Sequence, residues 1–127
     1  MLDPEGRVRL AMGAEEQGGG LSLFDARQSL RSEFRIVKET PGLYVRDEKQ
    51  TVRVAVGMSP DGGGMYLADS AGLPRGEWNC MEDGTIRFML RDKAEKPLVV
   101  LAVSKENRAV ILFEALAGAK GWRFPPP

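Results

Sequence analysis

The sequence predicts an all-β fold: six degenerate antiparallel hairpin repeats of about 22 residues, strung into a meander. Three observations carry that expectation. An acidic residue closes a short apolar run at a nearly constant interval. Apolar residues alternate with polar ones on either side of it. The joints between the alternating runs consist of turn-forming residues.

The interval comes first, because a fixed period is the signature of repeat architecture. Asp3, Asp25, Asp47, Asp69, Asp92 and Glu114 are separated by 22, 22, 22, 23 and 22 residues. An arginine follows six positions later in four units, at Arg9, Arg31, Arg53 and Arg75. Upstream of each acidic residue the positions four and two before it are apolar: Leu21/Leu23, Leu43/Val45, Met65/Leu67, Phe88/Leu90 and Val110/Leu112. Downstream the alternation resumes at Val8/Leu10/Met12, Val52/Val54/Val56 and Val99/Leu101/Val103. Successive side chains of a strand point to opposite sides, so each run has one apolar face and each unit is two strands. Val54, Val56, Leu67, Trp78, Leu90 and Leu101 are the expected core.

The joints fit hairpins. Asp3–Gly6 and Asp69–Gly72 read Asp-x-x-Gly, in which Asp bonds the backbone ahead and Gly takes positive φ. Gln28, Gln50 and Glu95 fill the glycine place elsewhere, where a left-handed conformation costs about 1–2 kcal/mol. The second joints run Gln17-Gly18-Gly19-Gly20, Thr40-Pro41-Gly42, Asp61-Gly62-Gly63-Gly64 and Asp83-Gly84. Residues 107–118 admit a short helix capped by Asn107 and stopped by Gly118. The β-rich run Val110-Ile111-Leu112-Phe113 favours a hairpin instead.

This pattern resembles the Leu-x-Leu-x-Asp-x-x-Gly-x-x-Arg hairpin repeats of uncharacterised bacterial proteins. The resemblance spans nearly the whole chain. It implies an architecture and brings no assigned activity or site residues. Leu98 stands where an arginine would be, so the C-terminal units depart from the pattern.

Residues 1–127 read as a single domain whose first repeat lacks its upstream strand, leaving the strand at Arg7–Gly13 with a free edge. Pairing is expected to stop before Pro125-Pro126-Pro127, which cannot donate to a ladder. Lys plus Arg and Asp plus Glu both total 18, so the net charge is zero. That balance argues against nucleic acid and against an anionic membrane surface as partners. Neither a secretory leader nor an apolar span is legible, which points to the cytoplasm.

Chemistry finds little foothold. There is no histidine, the commonest general base and metal ligand. The one cysteine, Cys80, stands on the apolar alternation beside Trp78 and reads as a buried thiol. One carboxylate per repeat suits turn capping better than calcium, which needs several oxygens converging. No enzyme activity, cofactor or metal is therefore expected. The second strand face holds the more useful clue: Phe24, Tyr44, Tyr66, Met89, Ile111 and Phe113 would line up as an apolar row where water was due. That row is the candidate interaction face. Eleven strands in a meander should either assemble as a homo-oligomeric prism or stalk, with a trimer favoured, or curl into a closed two-layer array. The function expected is a structural, assembly or adhesive module. The alternative is a closed β domain binding a small apolar ligand or a protein partner.

Overall fold

The computed structural model of the protein describes residues 1–16, 18–113 and 122–124. It is one antiparallel sheet whose strands lie in sequence order. They are β1 (Leu10–Glu15), β2 (Gly18–Phe24), β3 (Leu30–Val37), β4 (Thr40–Arg46), β5 (Val52–Ser59), β6 (Gly62–Ala68), β7 (Pro74–Met81), β8 (Ile86–Arg91), β9 (Pro97–Val103), β10 (Ala109–Phe113) and β11 (Trp122–Phe124). Among the described residues there is no helix, and strands touch only their neighbours in sequence. The meander of hairpins is as the repeat arithmetic requires. Closure is not: among the described residues β1 and β11 remain at opposite ends, so the sheet is not closed into a two-layer array.

The acidic joints make one edge of the sheet. In Asp25, Asp47, Asp69 and Asp92 the backbone N–H bonds the carbonyl four residues on, and the residue three on donates back. Oδ1 of each aspartate accepts from two further backbone N–H groups, as at Ala71 (2.9 Å) and Leu73 (3.2 Å) for Asp69. This ties off the donors that a tight turn leaves over. The residue in the glycine place is left-handed whether or not it is glycine: φ is 84° at Gly72 but also 64°, 67° and 62° at Gln28, Gln50 and Glu95. Just before the turns at Asp25, Asp47, Asp69 and Asp92 the register slips by one residue. Such bulges sharpen the local twist.

The opposite edge departs from the arithmetic. Val37 and Thr40 are joined by two residues, Lys38 and Glu39, both at positive φ. The joints Met81–Thr85 and Ser104–Arg108 are one residue longer and copy the acidic turns, with Gly84 and Asn107 left-handed. The 23-residue spacing before Asp92 absorbs the first extra residue. Nothing absorbs the second. Val99 therefore faces Phe113, and Leu101 faces Ile111. Residues 109–113 form a strand, as the hairpin reading holds; Glu114, Gly118 and Pro125–Pro127 lie outside the described residues.

Beside the first turn the edge is less bare than the sequence suggests. Leu2 bridges Val8, and Arg9 donates its backbone N–H to the Met1 carbonyl at 3.0 Å. The Gln28 side-chain amide pairs with Val8 as a strand would, accepting from its N–H (3.0 Å) and donating to its carbonyl (2.8 Å).

A glycine at position 50 should relieve the left-handed strain while keeping the carbonyl that Arg46 holds. Gln50→Gly is expected to stabilise the protein by somewhat less than about 1 kcal/mol, because glycine also loosens the unfolded chain. The shift in the urea midpoint measures it. A loss of stability would show that the Gln50 side chain contributes more than the strain costs.

Candidate interaction faces

Cross-strand pairing sorts every side chain to one of two faces. On one, a middle row runs Met12, Leu21, Phe34, Leu43, Val56 and on through Met65, Trp78, Phe88, Leu101 and Ile111. A parallel row runs Leu10, Leu23, Ser32, Val45, Val54 and then Leu67, Gly76, Leu90, Val99 and Phe113. From β1 to β10 neither row holds a charge. The other face carries Ser22, Glu33, Tyr44, Ala55, Tyr66, Glu77, Met89, Val100 and Leu112 side by side.

Burial inverts the expected core. The six side chains named as core share a face as their alternation demands, but that face is open. Trp78 is 57% exposed, and Val56, Leu67, Leu90 and Leu101 are exposed as well. Among the described residues the buried hydrophobic ones are Ala55, Ala68 and Met89, all on the polar face. The register is right; what fails is the assumption that an apolar face finds cover within one layer. Cys80, expected to be buried, is exposed on this face for the same reason. Around it Phe34, Leu43, Met58, Met65 and Trp78 line a shallow apolar trough of about 600 Å³.

Long charged side chains on the polar face are tied down by ion pairs and backbone contacts. Each repeated arginine reaches the aspartate of its own turn: Arg9–Asp3 at 2.8 Å, Arg31–Asp25 at 3.7 Å, Arg53–Asp47 and Arg75–Asp69 at 3.3 Å. Arg53 Nε also donates to the Ala68 carbonyl (2.8 Å) and Arg75 Nε to the Arg91 carbonyl (2.9 Å), so each staples its turn to the approach of the next. A second set recurs in alternate hairpins. Arg46 pairs with Glu33 at 2.6 Å and donates to the Gln50 carbonyl; Arg91 pairs with Glu77 at 3.1 Å and donates to the Glu95 carbonyl. This set has a signal in sequence, since Glu33 and Glu77 are 44 residues apart and Arg46 and Arg91 are 45. It belongs to a double-length repeat that a 22-residue count conceals.

The six residues of the candidate interaction face do not come together. Tyr44, Tyr66 and Met89 share one row on the polar face, interleaved with Glu33, Ala55 and Glu77. Tyr44 lies beneath the Arg35 guanidinium, 5.5 Å from ring centre to Cζ, and Met89 is 3% exposed. Phe24 alternates onto the same face but sits at the bulge, opposite Leu30. Ile111 and Phe113 fall on the apolar face, because the longer Ser104–Arg108 joint shifts β10 by one residue. Among the described residues, no three carboxylates or thiols gather as a metal site. No helix there is long and apolar enough to cross a membrane.

The turn carboxylates feel their surroundings. For Asp69 the Ala71 N–H is the largest influence, opposed by burial and reinforced by the Leu73 N–H and Arg75; the net effect holds its carboxyl below the ordinary 3.8. Asp25 is lowered likewise, led by the Ser29 N–H. At Asp3 and Asp47 burial is the largest single influence and pushes upward, yet backbone N–H groups and arginines outweigh it.

Compared with known proteins, the chain matches no family model and no curated protein.

Two expectations follow from the polar face. A carboxyl whose pKa is lowered on folding stabilises above its unfolded value and ceases to as pH falls through its folded value. Stability should hold near neutrality and fall once pH drops below about 3.8. NMR titration of Asp25 and Asp69 should give midpoints under that value, and midpoints above it would contradict the turn geometry. Separately, Glu33→Ala should cost about 3 kcal/mol by stranding Arg46. Glu77→Ala should cost less, since its side chain is 17% exposed against 8% for Glu33. Equal losses in urea unfolding would mean burial does not set the strength of these pairs.

Proposed function

We propose that the chain is a non-catalytic structural module, a hairpin-repeat sheet whose role is assembly into a homo-oligomer. The observation that carries this reading is the lone sheet itself: ten strands present an apolar face that none of the described residues layers over. Monomeric soluble proteins rarely expose a contiguous apolar patch beyond roughly 300–600 Å². Further support comes from how the polar groups are used. The turn carboxylates are committed to backbone donors and arginines, and the chain has no histidine to act as a general base. Arg9, Arg31, Arg53 and Arg75 face turn aspartates, and Arg35, Arg46 and Arg91 face glutamates, in keeping with a protein rather than nucleic-acid partner.

Light scattering coupled to size exclusion tests the reading. A mass that is a multiple of 13.9 kDa is expected, a trimer being the favoured form. A single-chain mass at every concentration would overturn it.

A further inference from the structure

We infer that the apolar face, and not the tyrosine row, is the surface by which one copy of this chain holds another, with Trp78 in the middle row of the contact and Cys80 one row out from it, toward the Met81–Thr85 joint. The inference rests on the assembly reading and assigns it a site. Size argues for it first. Eleven strands spaced about 4.8 Å apart, each some 20 Å long, give one face on the order of 1,000 Å². A stable interface needs about 800 Å² per partner. A face of this extent, free of charge across its two full rows, is large and apolar enough to form one wall of a core shared between copies.

Chemistry then selects the occupant. A partner must be apolar, extended and free of charge over the same span. Another copy of this face meets those requirements with no further assumption, as closed symmetric assemblies commonly do. The tyrosine row is a poor competitor. Glu33 flanks Tyr44, Glu77 divides Tyr66 from Met89, and Arg35 already covers Tyr44. Charge placed there would enter a face that already holds charges.

Cys80 makes the inference measurable. Among the described residues its thiol is exposed on the apolar face, so a neighbouring copy seated on that face would cover it. In the assembled wild-type protein a thiol reagent should modify Cys80 far more slowly than in the urea-unfolded chain, and dilution that dissociates the assembly should restore the rate. Trp78→Glu should yield a folded protein of single-chain mass with a reactive thiol. The double variant Tyr44→Glu/Tyr66→Glu should stay assembled with its thiol protected. If Trp78→Glu does not fold, the wild-type thiol rates on dilution decide alone. An assembled wild type whose Cys80 reacts at the unfolded rate, or an assembly broken by the tyrosine charges and not by Trp78→Glu, would overturn this choice of face and leave self-assembly standing. A wild type that never assembles would overturn the assembly reading and this inference together.

Discussion

Among the described residues each strand touches only its neighbours in sequence, and that locality governs the rest. A meander in one layer satisfies its backbone donors and acceptors strand by strand. It offers each side chain only two environments, above the sheet or below it. Covering a face takes either long side chains folded flat across it or a second layer. The chain uses the first remedy on one face only. Arginines, glutamates and tyrosines span the polar face, and small or flexible residues such as Ala55 and Met89 are buried beneath them. On the other face branched and aromatic residues such as Val56, Leu67 and Trp78 stay exposed.

Stability in the single chain is consequently placed along an edge. The turn aspartate accepts backbone N–H groups with one oxygen and an arginine with the other. That arginine then reaches the strand leading into the next turn. Each staple is modest, since partly exposed ion pairs contribute little. Their worth lies in repetition: turn n fixes strand n+1, which presents the next turn. Repeat proteins commonly owe stability to nearest-neighbour couplings of this kind. The Glu33–Arg46 and Glu77–Arg91 pairs add a second coupling at twice the period.

Much of this was legible in the residues. Turn chemistry named the acidic joints, because Asp-x-x-Gly has one economical conformation, and alternation assigned faces correctly through β9. Two things were hidden. The Ser104–Arg108 joint carries one residue more than a two-residue hairpin, and serine and asparagine there look like ordinary loop residues. Counting from Glu114 therefore put Ile111 and Phe113 on the wrong side. The second failure concerns burial. Alternation tells which residues share a face, while only the layer count tells whether that face is covered, and local sequence does not encode layer count. Tyr44 and Tyr66 looked like an exposed interface because the arginines and glutamates that surround them come from neighbouring strands.

The environment of Trp78 tests the central claim most directly. With Trp122 replaced by Phe, the fluorescence of Trp78 reports the middle of the apolar face alone. If that face is complete only between copies, emission at high protein concentration should be blue-shifted and shielded from acrylamide. It should become red-shifted and readily quenched as dilution separates the copies, while the circular dichroism of the strands persists. A Trp78 that is solvent-exposed at every concentration would contradict the account.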